Sequence, residues 1–87
     1  VLALAVIHEL LRLGAADLDF IAKHVNGFDA LAEAARQVSP ARAAEVCDVS
    51  AADVARLAAA YAGASPAVVR CGWGVERNRN GGNAVRA

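Results

Sequence analysis

Ser65-Pro-Ala-Val-Val-Arg-Cys71 is the stretch on which the fold class turns. Ser65-Pro66 has turn character, and Ala67-Val-Val-Arg-Cys71 behind it is short and β-branched, the pattern of a strand. Everything upstream carries helical periodicity. A lone strand cannot satisfy its own backbone groups, and the chain offers no second one to pair with it. The expectation is therefore a mostly α-helical segment with one β-strand, a fragment of a larger α/β domain. The expected division is a helical part at 1–62, a strand at 67–71, a Gly-rich loop at 72–82 and the start of a helix at 83–87.

The helical part reads as five helices. Val1–Leu13 has apolar residues at 2, 6, 10 and 13, with 3, 7 and 11 adjoining, so a wide face is buried. Gly14 is a fitting stop. Asp17 can cap a second helix running to about Val25, with Phe20, Ile21 and Val25 inward, ended near Asn26-Gly27. A third spans about Phe28–Gln37, with Phe28, Leu31 and Ala35 on one side. Ser39-Pro40 starts a fourth, with Ser as cap and Pro where its missing N–H costs nothing; it stops near Cys47. Ser50-Ala-Ala-Asp53 resembles a capping box with Asp for Glu, flanked by Val49 and Val54 at the staple positions. The fifth helix, about Ala51–Ala62, is expected to bury Val54, Leu57, Ala58 and Tyr61.

The 87 residues are 57% apolar and 21% charged, which is globular. A chain this short buries only roughly 60–65% of its unfolded surface, so its core is marginal. Alanine supplies 23 residues, and eight arginines stand beside one lysine, which points to a GC-rich bacterial genome. Net charge is zero, against a general nucleic-acid or membrane-surface binder. The distribution is uneven: residues 1–69 hold five basic and eight acidic side chains, while Arg70, Arg77, Arg79 and Arg86 face only Glu76 in 70–87. Val1–Leu13 carries His8, Glu9 and Arg12 and is too short and polar to span a bilayer. The absence of Met suggests a piece cut from a longer chain.

The chemistry concentrates in Cys71-Gly-Trp-Gly-Val-Glu-Arg-Asn-Arg-Asn-Gly-Gly-Asn83. Gly72-x-Gly74 would begin a dinucleotide fingerprint, but its third glycine position is Arg77, and no Gly-Lys-Ser/Thr of a phosphate loop occurs. What remains is an anion-friendly loop of another kind. Glycines at 72, 74, 81 and 82 permit positive φ and close backbone approach. Arg77 and Arg79 can fork onto phosphate or carboxylate. Asn78, Asn80 and Asn83 can read amide-like ring edges, and Trp73 offers a flat face.

Other motifs are weaker. Ala43–Leu57 has the outline of a DNA-binding helix-turn-helix, but its second helix offers Asp53, Arg56 and mostly alanine, not a base-reading array. Cys47 and Cys71 lie in no metal spacing. Cys47 reads as a small buried apolar residue, and Cys71 stands beside the loop. His8 and His24 fall in different helices with no catalytic arrangement. Asp17 and Asp19 read as a cap and a solvated neighbour.

The terminal segment Gly72–Ala87 resembles the molybdopterin-dependent oxidoreductases of the dimethyl-sulfoxide-reductase type, a superfamily that includes formate dehydrogenases and nitrate reductases. The upstream runs Ala5-Val-Ile-His-Glu-Leu-Leu11, Asp19-Phe-Ile-Ala-Lys-His-Val-Asn-Gly-Phe28 and Ala43-Ala-Glu-Val46 with Val49–Ala58 fit too, so the resemblance covers essentially the whole chain. It implies a fragment of a catalytic subunit whose metal, molybdenum or tungsten, is held by molybdopterin guanine dinucleotide. By motif position Trp73 and Arg77 match residues at the substrate funnel. Asn80, Gly81 and Gly82 fall near a pterin dinucleotide, so 72–82 would be a cofactor and substrate loop. Glu76 departs from a Gln frequent at this place. The metal ligand and any iron–sulfur motif would lie outside this chain, so the isolated piece is expected to be inactive and cofactor-free. Implied partners are the rest of the catalytic subunit, a small-molecule substrate and an electron-transfer subunit, with no nucleic acid and no direct membrane insertion. The alternative reading is a free-standing helical interaction or nucleic-acid-binding module. An open reading frame with long flanks would favour the first, and one ending near these residues the second.

Overall fold

In the computed structural model, residues 1–86 are described, apart from the side chain of Glu76. The elements are α1 (Leu2–Arg12), α2 (Leu18–His24), α3 (Phe28–Arg36), α4 (Pro40–Cys47), α5 (Ala51–Gly63), a 3₁₀ turn (Trp73–Arg77) and α6 (Gly81–Arg86). Local chemistry sets most boundaries. α1 ends in a Schellman pair: Gly14 N–H donates to Leu11 O at 3.1 Å and Ala15 N–H to Leu10 O at 3.0 Å. Gly14 makes that turn at φ 65°, which a Cβ would oppose. Asp17 Oδ1 caps α2 by accepting from Phe20 N–H at 2.9 Å. Ser39 Oγ caps α4 through Arg42 N–H at 3.2 Å, with Pro40 at the first helical position. Ser50 Oγ accepts from Asp53 N–H at 3.0 Å and donates to Asp53 Oδ2 at 2.7 Å. α4 closes on Asp48 at φ 53°, a left-handed position that Asp tolerates better than most side chains.

No strand exists among the described residues. Residues 67–71, expected to be one, run without ladder partners, and Val68 and Val69 are 85% and 76% exposed. β-branched composition favours an extended backbone, but a strand is defined by its neighbour, and this chain supplies none. The described chain is all-helical, and the expected α/β class is overturned.

α1 is the hub, packing on α3, α4 and α5, while α4 also packs on α5. The core at these contacts is built from small side chains. Ala5, Ala32, Ala35, Ala43 and Ala58 are buried, and Val54 is the one larger fully buried side chain. Val49 packs against the Ala5–Ala43–Val54 cluster, as the staple spacing leads one to expect. Small residues let helices approach closely but leave the large apolar side chains outside. Leu57, Tyr61, Leu31, Phe20 and Val25, all expected inward, are exposed. The radius of gyration, 13.3 Å, exceeds the roughly 12 Å of a compact chain this long.

One charge enters the interior. Glu9 is only 6% exposed. Arg12 donates to its Oε2 from Nε at 3.0 Å and from Nη2 at 2.8 Å. That hydrogen bond holds the Glu9 carboxyl below its ordinary range, against the opposing push of burial. Arg12 is thus not the idle helix-end charge its position suggests.

Candidate functional site

The 3₁₀ turn and α6 pack on each other and form the end of the described chain. Val75 N–H donates to Gly72 O at 3.2 Å and Asn78 N–H to Val75 O at 3.3 Å. Gly81 N–H donates to Asn78 O at 2.9 Å, joining turn to helix. The asparagines brace the same corner: Asn78 Nδ2 donates to Gly74 O at 2.9 Å, and Asn83 Nδ2 to Asn80 Oδ1 at 2.8 Å.

The glycines behave differently from the sequence expectation. None of Gly72, Gly74, Gly81 and Gly82 adopts positive φ; among the described glycines only Gly14 and Gly27 do so. Gly81 is buried, and a Cβ there would run into the Val75 carbonyl. Its lack of a side chain lets α6 sit on the turn. Gly82 is open, with nothing near the place of a Cβ.

Trp73 and Arg77 stand at the two ends of the 3₁₀ turn. Trp73 is 82% exposed, and Arg77 and Arg79 are exposed as well. Neither arginine has an ion-pair partner among the described side chains; that of Glu76 lies outside them. A bare indole and two guanidinia beside an open glycine can bind a flat or anionic group.

A cleft of about 1120 Å³ opens between α1, α5 and the C-terminal segment. Asn80 and Asn83 reach its rim, whereas Trp73 and Arg77 do not line it. The structure thus separates the expected site residues: Asn80 lines the cleft, Trp73 and Arg77 are exposed on the 3₁₀ turn, and Gly82 is exposed in α6. Tyr61, Cys47 and Cys71 also line the cleft. Sequence periodicity places Tyr61 and Cys47 on apolar faces and carries no signal that those faces stay open.

The remaining candidates are structural. His8 Nδ1 lies 3.1 Å from Ala35 O and ties α1 to the end of α3. The His24 ring packs against Phe20, centroids 4.8 Å apart and the planes tilted by 45°. Among the described residues no group of three or more His, Cys, Asp and Glu is gathered to hold a metal. Both cysteines are free. No described helix is long and apolar enough to cross a membrane. Arg56 is paired with Asp53 at 2.6 Å, so the one arginine of the helix-turn-helix outline is tied to a carboxylate, and Arg42, just before it, is paired with Glu45 at 2.9 Å.

Comparison with known proteins gives one anchor. The chain is 34% identical over 85 residues to a protein of Bacillus subtilis (strain 168) named "Probable oxidoreductase YoaE". The chain is similar to part of a protein named as a probable oxidoreductase. The match takes in 98% of this chain but only 12% of that relative. That name specifies neither metal nor cofactor, so the relationship is to oxidoreductases in general and not to the molybdopterin type in particular. No family model matches the chain, and no solved structure matches it.

Proposed function

We propose that the chain is a piece of the catalytic subunit of a molybdopterin-dependent oxidoreductase. In this reading the Trp73–Arg77 turn faces the substrate funnel and Gly82 lies near a pterin guanine dinucleotide, with Asn80 at the same corner on its cleft side. The observation that carries it is the extent of the likeness to an oxidoreductase. At 85 of 87 residues it must include nearly all of the Gly72–Arg86 segment, the same segment that bears the family-like motif.

The residues of the turn fit such a group. Arg77 and Arg79 present planar guanidinia suited to a pyrophosphate or an anionic substrate. The open backbone at Gly82 allows close approach. Trp73 can wall a funnel with its exposed ring. Gly81 contributes at one remove, by seating α6 on the turn so that Gly82 and Asn80 are held in place. When bound, the cofactor supplies two-electron redox chemistry at molybdenum or tungsten, and the protein supplies binding, orientation and electrostatics. The metal ligand and any iron–sulfur cluster would come from polypeptide outside these residues, as would contacts to an electron-transfer subunit.

The test is to express the full reading frame in a host that makes the cofactor, then measure bound metal and released guanine nucleotide. About one molybdenum or tungsten per polypeptide, with pterin guanine dinucleotide, is expected for a site of this class. A purified, folded and active oxidoreductase holding flavin or nicotinamide and no pterin would overturn the reading.

A further inference from the structure

We propose that the cleft between α1, α5 and the C-terminal segment is an intramolecular docking face, covered by an apolar segment of the parent polypeptide from outside these 87 residues. The proposal rests on reading the chain as a piece of a longer oxidoreductase.

Four observations carry it. First, the apolar surface of α1 runs past its core face. Ala5 and Glu9 turn into the core, Val6 packs against the core cluster while also lining the cleft, and Leu2 and Leu10 line the cleft beside it. An apolar arc wider than the part buried in the core is built to be covered on its open side. Second, Leu57 and Tyr61, also four apart, form the facing wall from α5 and are 51% and 39% exposed. Together with Val69 and Val85 they make an exposed apolar patch of the kind that marks an interface. Third, among the described side chains no Asp, Glu, Lys or Arg lines the cleft. Several ionic side chains pair away from it, as Glu33 does with Arg36 and Glu45 with Arg42. An uncharged wall selects an uncharged occupant. Fourth, the oxidoreductase relative has about eight times the length that this chain matches, so ample polypeptide surrounds the equivalent segment there.

Shape argues against a second copy. A two-fold interface brings one patch against itself, and two concave clefts of about 1120 Å³ cannot fill each other. A convex insert from elsewhere in the parent can.

Cys47 and Cys71 line the cleft and report on it. The experiment is maleimide labelling of the 87-residue chain and of the full-length product, with each cysteine read separately by peptide mass spectrometry and scaled to its rate in denaturant. Cys71, exposed here, should label near its denatured rate in the short chain and at least about tenfold slower in the full-length protein, since reaction there waits on local opening. Equal scaled rates in the two proteins would overturn the proposal. So would protection in the short chain that grows with its concentration, because a second copy would then be the occupant. A reading frame that ends near these residues would overturn it together with the reading it rests on. Metal and pterin analysis of the same preparation separates the two ideas: protected thiols without pterin keep the docking face and remove the molybdopterin assignment, and exposed thiols with pterin do the reverse.

Discussion

Val54→Ala should destabilise the 87-residue chain more than Leu57→Ala, although leucine is the larger residue. Val54 is 1% exposed and sits against Ala5 and Ala43, while Leu57 is 51% exposed three residues along the same helix. Removing two buried methyl groups costs about 1.6 kcal/mol at roughly 0.8 each. Ala5 and Ala43 cannot fill the space and the short, stiff side chains of Val6, Val38 and Val49 around them fill it only in part, so a cavity cost is added and the total comes to about 2–2.5 kcal/mol. Leu57→Ala loses more carbon but from a half-open position, and should cost about 1 kcal/mol or less. Stability for a chain of this length is on the order of 4–13 kcal/mol, and an alanine-lined core puts it toward the low end. The assay is urea unfolding followed by helical circular dichroism. With a slope of about 1 kcal/mol/M, Val54→Ala should lower the midpoint by about 2 M and Leu57→Ala by about 1 M or less. A Leu57→Ala loss equal to or above that of Val54→Ala would show that the α5 outer face is packed, and the account of the core would fail.

Gly81→Ala should detach α6 from the 3₁₀ turn, because its Cβ would collide with the Val75 carbonyl, whereas Gly82→Ala should be tolerated. Amide exchange across 72–86 should rise for the first variant alone. Glu9 is held below its ordinary pKa by Arg12, so its contribution to stability is present above the unfolded value near 4.5 and is lost as pH falls through the folded value; the urea midpoint should drop in that acid range, and Glu9→Gln should flatten the drop. Asp48→Gly should leave the urea midpoint equal or higher while Asp48→Val lowers it, since φ 53° suits glycine and opposes a β-branched side chain. On the proposed molybdopterin reading, Arg77→Ala in the full-length protein at matched cofactor loading should lower kcat/KM by about ten- to a hundredfold, as expected for a lost charged hydrogen bond. Arg42→Ala, which breaks only an exposed pair with Glu45, should stay within about twofold.

Helix ends were legible in the sequence because their causes are local. Asp17, Ser39 and Ser50 act within three residues of themselves, and Gly14 needs only its own φ. The strand at 67–71 was not, because β-branched composition says nothing about whether a partner strand is within reach. Burial was half legible. Periodicity finds the apolar side of α5, but both Val54 and Leu57 satisfy it, and only the packing of α1 and α4 decides between them. In the candidate site, Trp73 and Arg77 are exposed on the turn. The buried seat of Gly81 could not be foreseen, since a glycine that admits a ligand and one that admits a neighbouring helix look alike in sequence. Glu9 was equally hidden; its spacing of three from Arg12 is a surface pattern as often as a buried one.

These features bear on how a ligand could use the terminal turn. The corner is closed by its own bonds: Asn78 holds Gly74, Asn83 holds Asn80, and Gly81 rests on Val75. Those groups are already engaged, so they set geometry instead of recognising a partner. Recognition falls to what the corner leaves outward, namely the ring of Trp73, the guanidinia of Arg77 and Arg79, and the backbone at Gly82. A turn fixed before binding loses less entropy on binding than one ordered by its ligand. The separation also gives substitutions distinct signatures. Changes at Gly81 or Asn78 should loosen the turn and weaken every ligand together, whereas changes at Arg77 should act according to the charge of the ligand. The two kinds of loss are distinguishable in one series of variants, and that contrast tells whether this surface recognises a ligand or only connects two helices.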